Sequence, residues 1–238
     1  MAKYLFTLGR PGSGKSSIGR AIIKAYGGTR HVEKLNDYPL LWEMFMQEER
    51  GQVTGHRLFR RSEKNGALGF EVLDRQVFPR ALSMLDEQAG RYHTQSKLVV
   101  IEFSRSDYAD IFRCFRPHIM RNAHIFLMQA SLETCIQRID HRVARPRYED
   151  DRLVAEETMR KYHQDDGSAS LLAVCPPGQV SIIQNEGDPR DTWLEVKSRL
   201  DALLYRMPQA PGSALWSLSD LKRPHTPFGG LVRATLQA

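Results

Sequence analysis

A short segment near the start of the chain has residue types and spacing suited to phosphate. Residues 9–16, GRPGSGKS, match the pattern G-x-x-x-x-G-K-[ST], in which a glycine-rich turn directs several backbone N–H groups toward one anion. Gly12 and Gly14 allow backbone conformations that a side chain would block. We expect Lys15 to reach the terminal phosphates of a nucleotide and the Ser16 hydroxyl to hold Mg²⁺.

The elements on both sides of this segment agree with that interpretation. The apolar run Tyr4–Leu8 predicts a buried strand, and residues 17–26 predict a helix whose N-terminus adds partial positive charge. Strand, glycine-rich loop and helix in this order predict a P-loop that binds ATP. We expect the nucleotide to contact the whole loop and the serine after it: Gly9, Arg10, Pro11, Gly12, Ser13, Gly14, Lys15, Ser16 and Ser17.

Strands and helices alternate along the rest of the chain. Further buried strands are predicted at 29–35, 97–103, 123–128 and 180–184. Helices are predicted at 17–26, 38–49, 76–89, 107–115 and 191–204. Two more are predicted between them: one that begins at the N-cap Ser131, and one that follows the charged loop at 144–151 and ends at about residue 164. This order favours right-handed crossovers and a parallel five-stranded sheet, hence an α/β fold with three α/β/α layers. Ligands should then lie at the carboxyl edge of the sheet.

The expected domain covers residues 1–206, and an irregular tail rich in proline and glycine covers 207–238.

The composition says less about the function. The net charge of +6 suits polyphosphate substrates and leaves nucleic acid open. No run of 18 apolar residues predicts a membrane-spanning helix. The first predicted strand leaves no room for a signal peptide, and three scattered cysteines predict reduced thiols, so we expect a cytoplasmic protein.

Beyond the loop, charged and polar residues follow three of the predicted strands. The segment 101–105, IEFSR, ends the strand at 97–103. Arginines are concentrated between 138 and 147, before Asp150-Asp151, and the segment 184–188, QNEGD, follows the last strand. Because the carboxyl ends of parallel strands share one edge of the sheet, we expect all three groups near the loop.

With the P-loop, these motifs resemble the nucleoside and nucleotide kinases, the group of adenylate kinase and deoxynucleoside kinase, over Tyr4 to about Leu204. The resemblance implies that Glu102 binds the water shell of Mg²⁺ or takes a proton from the acceptor hydroxyl. It implies that Arg105 grips the acceptor. The segment fits neither the adenylate kinase nor the deoxynucleoside kinase pattern letter for letter, so the role of Glu102 stays open.

The same resemblance implies a short lid at about 138–165. Arg142 and Arg147, helped by Arg138, would close over the phosphates, neutralise charge during transfer and exclude water. Asn185 and Gly187 would lie beside the adenine ring, although asparagine and glycine are also common in ordinary turns.

The acceptor is expected at about 37–74. Asp37 lies where related kinases bind or deprotonate the acceptor. The alternative interpretation is that Asp37 only provides a negative charge at a helix N-terminus. Arg57 and Arg61, in a basic cluster with Arg60 and Lys64, would bind an anionic acceptor or belong to a solvated loop. None of the eight histidines is predicted to be a catalytic base or a metal ligand.

These features predict an ATP-dependent kinase, monomeric or homodimeric, that acts on a nucleotide, a nucleoside or another small metabolite. One alternative is a kinase for a hydroxyl of nucleic acid, prompted by the basic cluster and by Lys222, Arg223 and Arg233 in the tail. Another is a regulatory nucleotide-binding module without turnover. A GTPase is disfavoured because the chain has no D-x-x-G and no N-K-x-D segment.

Overall fold

The computed structural model describes residues 1–28, 31–53, 55–108, 111–148 and 151–206. The predicted tail at 207–238 lies outside these residues, as do the first residues of the predicted second strand and Glu149 and Asp150 of the predicted lid. Within the described ranges, no helix combines the length and the apolar character needed to cross a bilayer.

The central sheet is parallel and five-stranded, as predicted. The chain forms strands β1 (Lys3–Leu8), β2 (Val32–Asn36), β3 (Phe59–Lys64), β4 (Ala67–Val72), β5 (Leu98–Glu102), β6 (Ala123–Gln129) and β7 (Val180–Gln184). The order in the sheet is β2-β5-β1-β6-β7. Since β1 is central, the loop that follows it emerges in the middle of the carboxyl edge.

Helices cover both faces of the sheet and complete three layers. They are α1 (Lys15–Ala25), α2 (Asp37–Glu49), α3 (Val77–Gly90), α4 (Pro117–Arg121), α5 (Leu132–Ala144), α6 (Glu156–Tyr162), α7 (Ser168–Val174) and α8 (Pro189–Arg206). Alternate residues of β1 explain the layers: Phe6 packs in the core with Leu82 of α3, and Leu5 packs in the opposite core with Ile22 and Val196. The predicted three-layer α/β/α fold is confirmed.

No strand was predicted within residues 51–69, but the structure has β3 and the start of β4 there. Strands β3 and β4 pair as an antiparallel hairpin, with Phe59 opposite Val72. Asn65 and Gly66 form its turn, both with positive φ, and Asn-Gly is a strong hairpin signal. The hairpin was missed because β3, FRRSEK, exposes most of its residues and lacks an apolar pattern.

Two shorter elements also differ from prediction. The helix expected at 107–115 is a 3₁₀ helix at Ile111–Cys114, and residues 109–110 are outside the described ranges. The short helix α7 lies between the helix predicted up to about 164 and the strand predicted at 180–184, where no helix was predicted. Both differences lie on the side of the sheet that carries α3, where Leu171 of α7 is fully buried.

Candidate active site

The glycines of the loop at 9–16 are required by close packing. Gly14 has φ +99°, and a Cβ there would lie 2.2 Å from Nδ2 of Asn185. That amide donates to the Ser13 carbonyl at 2.7 Å, and its Oδ1 accepts from the Thr192 hydroxyl at 3.0 Å. Asn185 therefore supports the loop from the segment that follows β7, and the adenine contact suggested by the sequence stays a prediction.

Lys15 lies folded over the loop. Its Nζ donates to the carbonyl oxygens of Gly9 at 3.0 Å and Arg10 at 2.6 Å, and only 5% of the residue is exposed. Burial is the main reason why the pKa of Lys15 falls to about 8. A buried amine that donates to two carbonyl oxygens is suited to exchange those partners for an anion.

Ser16 and Glu102 meet across the first turn of α1. The Ser16 hydroxyl donates to Oε1 of Glu102 at 2.5 Å, and Nζ of Lys34 lies 3.0 Å from Oε2. A hydroxyl and a carboxylate are oxygen ligands of the kind that Mg²⁺ takes, usually with substrate phosphates. The described residues contain no group of three His, Cys, Asp or Glu that could hold a metal alone. The site therefore fits Mg²⁺ brought with a nucleotide.

Asp37 and Arg105, which line the same cavity as the loop residues, form a buried ion pair. Nη2 of Arg105 lies 2.6 Å from Oδ2 of Asp37, with 8% and 5% of the two side chains exposed. The guanidinium also lies 4.1 Å from the Phe78 ring centroid. Burial raises the pKa of the Asp37 carboxyl, and Arg105 partly offsets that rise. The pair places a carboxylate with increased proton affinity beside a fixed cation.

The predicted lid arginines face the cavity from α5 and the segment after it. Arg138, Arg142, Arg145 and Arg147 all line it. Nη2 of Arg138 donates to the Asn185 carbonyl at 2.9 Å, and Nη2 of Arg142 donates to the Arg152 carbonyl at 3.1 Å. The Arg147 backbone N–H donates to Oδ2 of Asp151 at 2.8 Å.

The lid contacts the β3–β4 hairpin directly. Gly69 of β4 forms an isolated parallel bridge with Leu153, which is 2% exposed. Nζ of Lys64 lies 2.7 Å from Oδ1 of Asp140, and the Arg152 guanidinium lies 4.5 Å from the Trp42 ring centroid. Hairpin and lid therefore meet beside the cavity, which residues of both line.

We predict that Gly69→Ala loosens this contact. The new Cβ would lie 2.3 Å from the Leu153 carbonyl oxygen, so the lid backbone has to move, at a cost of about 1–3 kcal/mol. Hydrogen exchange of residues 151–155 should become faster. Ser62→Ala is the matched control, because Ser62 faces Gly69 across the hairpin and the change adds no bulk. Equal exchange in both variants would contradict the prediction.

Most of the predicted site residues line one cavity of about 680 Å³. They are Pro11, Gly12, Gly14, Lys15, Ser16, Ser17, Asp37, Glu102, Arg105, Arg138, Arg142, Arg147 and Asn185. The predicted residues not among its lining are Gly9, Arg10, Ser13, Gly187, Arg57 and Arg61. The cavity joins the loop, the start of α2, the end of β5 and the lid.

The structure does not bring the basic cluster of the hairpin to this cavity. Nη2 of Arg57 lies 3.5 Å from Glu49, and Arg61 lies 3.6 Å from Glu49 and 3.1 Å from Glu63. Arg60 pairs with Glu71. These arginines are neutralised by carboxylates of α2 and of the hairpin itself.

Arg10, predicted to contact the nucleotide, ties the loop to neighbouring backbone. Its Nε donates to the His163 carbonyl at 2.6 Å, its Nη1 to the Ala130 carbonyl at 2.9 Å, and its Nη2 to the Gln164 carbonyl. The guanidinium thus holds the loop against the chain that leaves α6.

Sequence reasoning missed Tyr108 and His163. The Tyr108 hydroxyl accepts from the Gly9 N–H at 3.1 Å, and burial raises its pKa to about 12. His163 lines the cavity with a buried, unpartnered Nδ1, and burial followed by nearby Lys15 and Arg105 lowers its pKa to about 3. No local pattern marks either residue, since Tyr108 acts on a residue 99 positions away.

No family model and no curated protein sequence matches this chain. Solved structures do match. A sugar kinase from Janibacter, solved without ligand, has a TM-score of 0.51 at 14% identity, over 85% of this chain and 98% of that one. A gluconokinase from Sinorhizobium meliloti (TM-score 0.48, 14% identity, 86% and 95% covered) and a shikimate kinase from Acinetobacter baumannii (0.42, 14%, 86% and 94%) are also similar. The chain has the fold of P-loop small-molecule kinases, which confirms the fold implied by the resemblance.

Proposed function

We propose that this protein is an ATP-dependent kinase that transfers the γ-phosphoryl group to a hydroxyl of a small molecule. The observation that supports the proposal is one cavity lined by two chemically different groups of residues, called here its two ends. One end is a phosphate loop with Lys15 and Ser16. The other is the buried Asp37–Arg105 pair, 2.6 Å apart, which suits a hydroxyl that must be oriented and deprotonated.

At the first end, the residues suit the triphosphate of ATP. Lys15 would release the Gly9 and Arg10 carbonyls and contact phosphate oxygens, while the loop N–H groups bind the same anion. Ser16 and Glu102 would hold Mg²⁺, which neutralises charge on the phosphates when bound.

At the second end, Asp37 is the better candidate for the base. Glu102 is already engaged by Ser16 and Lys34, whereas burial raises the proton affinity of Asp37. The acceptor oxygen would form a bond to the γ-phosphorus as the bond to the bridging oxygen breaks and ADP leaves. Asp37 would take the hydroxyl proton while Arg105 orients the acceptor.

The lid arginines complete the proposed chemistry. Arg138, Arg142, Arg145 and Arg147 line the cavity, where they would offset the negative charge of the transferring group. With the lid on the hairpin, water is kept from the phosphates, which favours transfer over hydrolysis. We do not propose a nucleic-acid acceptor: the basic cluster behind that alternative pairs with carboxylates, and the tail residues behind it lie outside the described residues.

The proposal is tested by acceptor-dependent release of ADP. The full chain is incubated with MgATP and a panel of nucleosides, sugars, sugar acids and aromatic alcohols. We expect at least one compound to raise ADP release well above the rate without acceptor. A rate that no compound raises would contradict kinase activity and favour a binding module.

We predict that affinity for ATP falls as the pH rises above about 8. The protonated Lys15 binds phosphate, and its pKa of about 8 means that it loses charge above that pH. Glu102, Cys135 and Asp37 raise this pKa, and burial and Arg142 lower it. The apparent Kd should rise by up to about tenfold per pH unit. Calorimetry at several pH values measures the Kd for ATP. In Lys15→Arg the side chain keeps its charge, so the Kd should change less with pH than in the wild type. The same pH dependence in both proteins would contradict the role of Lys15.

We predict that Glu102→Gln weakens the use of Mg²⁺. Replacing one carboxylate oxygen contact by an amide should raise the Mg²⁺ concentration for half-maximal turnover about tenfold. The matched control is Glu33→Gln, which removes a carboxylate that faces Lys97 at 3.3 Å, away from the cavity. The same Mg²⁺ requirement in both variants would count against a role for Glu102 at the metal.

A further inference from the structure

The cavity around the Asp37–Arg105 pair has a largely apolar wall. Leu41 lies one helical turn after Asp37, and Phe78 lies against the Arg105 guanidinium at 4.1 Å. Phe70 and Val72 line the same space from β4, on the face of the hairpin that packs toward α2. The reacting end is therefore polar, while the α2 and hairpin side offers hydrocarbon.

The wall also presents aromatic rings that are fixed in place. Tyr38 stacks on Phe70 with ring centroids 5.5 Å apart and planes inclined by 21°. Tyr38 stacks on Trp42 as well, at 6.2 Å and 25°. Phe45 and Phe59, both fully buried, contact Phe70 from behind. A flat ligand can pack against these rings without an entropic cost for ordering the rings, because they are already fixed.

Free polar atoms in this part of the cavity belong to few residues. The Tyr38 hydroxyl, Oδ2 of Asp37, and Nε and Nη2 of Arg105 are buried and have no hydrogen-bond partner among the described residues, although Oδ2 and Nη2 face each other in the ion pair. Arg75 and Ser106 add polar groups near Arg105, with 3.4 Å between Nη2 of Arg75 and Oγ of Ser106. These groups suit the reacting hydroxyl, whereas Leu41, Phe70, Val72 and Phe78 offer hydrocarbon.

A polyhydroxylated acceptor does not suit this wall. A sugar or sugar acid carries hydroxyls along its whole body, and each hydroxyl left against Leu41, Phe70, Val72 or Phe78 would lose hydrogen bonds to water. Such a loss costs about 1–3 kcal/mol per group, which corresponds to roughly 5- to 150-fold in affinity. A flat ring gains contact area at the same place.

We infer that the acceptor is an alcohol whose hydroxyl is carried by a flat aromatic or heteroaromatic ring system, and that Phe70 and Phe78 select it against sugars and sugar acids. The inference rests on the proposed kinase activity and names the acceptor class of the same site. The ring packs between β4 and the start of α3, and the hydroxyl reaches Asp37.

The test compares kcat/KM for phosphotransfer from ATP to two acceptor sets. The ring alcohols are 2-phenylethanol and hydroxymethylpyridines; the polyols are glucose, gluconate and shikimate. We expect kcat/KM for a ring alcohol to exceed that for every polyol by about 100-fold, which is the combined effect of two hydroxyls left without hydrogen bonds. A polyol with the highest kcat/KM overturns the inference and leaves kinase activity standing.

If no phosphoryl transfer is detected, saturation-transfer NMR of ring alcohols with the ADP-bound protein separates the proposed acceptor class from the proposed kinase activity. Binding of a ring alcohol that is lost in Phe70→Ala supports the acceptor class and contradicts the kinase reaction. No binding of any ring alcohol overturns the acceptor class as well.

Variants of β4 test the selecting residue. Phe70→Ala should raise KM for the ring alcohol about tenfold or more, with KM for ATP within about twofold of wild type. Leu68→Ala is the control, because Leu68 shares the strand and the packed face but does not line the cavity. Phe70→Leu preserves the apolar core and should give an intermediate KM. Equal effects of Leu68→Ala and Phe70→Ala would overturn the assignment.

Discussion

Lys15→Ala is expected to lower kcat/KM for ATP by about 10²–10³-fold. The side chain is the buried cation of the loop, and its Nζ is held only 3.0 and 2.6 Å from two loop carbonyls. Removing a preorganised charge that acts on a transferring phosphoryl group has an effect of this size. Steady-state ADP release at saturating acceptor measures it.

Lys24→Ala is the control for Lys15→Ala. Lys24 lies on the same helix, α1, but its side chain is exposed and does not line the cavity. Turnover within about twofold of wild type is expected, as for other surface changes. If Lys15→Ala keeps full turnover, the loop does not hold the donor phosphates in the proposed way.

Asp37→Asn is expected to lower phosphotransfer by about 10²–10⁴-fold while leaving the Kd for ATP nearly unchanged. The amide has almost the size of the carboxylate, but it cannot take the acceptor proton. Loss of kcat with intact nucleotide binding separates a role at the acceptor from damage to the loop. Calorimetry with ATP and the transfer assay measure the two quantities.

The matched control is Asp86→Asn. Asp86 of α3 also pairs with an arginine, Arg116, 2.9 Å from Nε, and lies outside the cavity, although 47% of the Arg116 side chain is exposed. Breaking a buried pair by removing one charge can cost about 3–5 kcal/mol of stability, so both variants should be less stable to urea, and Asp86→Asn by the smaller amount. Only Asp37→Asn should lose transfer. Equal losses of transfer in both variants would show that stability, rather than chemistry, explains the effect.

Local patterns were enough to predict the sheet and the position of the glycine-rich loop at its carboxyl edge. The loop at 9–16 is a contiguous motif, and β5 and β6 are apolar runs that suit strands buried on both faces. The Ser131 N-cap is confirmed by its hydroxyl, which accepts from the Thr134 N–H at 3.1 Å. These features depend on residues close together in the chain.

The acceptor end depends on contacts between distant residues, which single-sequence patterns do not encode. Asp37 and Arg105 were each proposed as acceptor residues, but nothing in their spacing predicted an ion pair. The hairpin was missed because β3 is polar, although Asn65-Gly66 marked its turn. Arg57 was given an acceptor role from charge alone, and the acids of α2 that pair with it could only be seen in the fold.

The most direct test of the account follows the γ-phosphate of ATP in a single turnover. Full-length protein in excess over γ-labelled ATP is mixed with Mg²⁺ and the best acceptor, and the labelled products are separated. The account predicts that the label appears on the acceptor hydroxyl in the wild type and that Asp37→Asn, with ATP still bound, forms little of this product. Label found only in inorganic phosphate, at the same rate with and without acceptor, would contradict it.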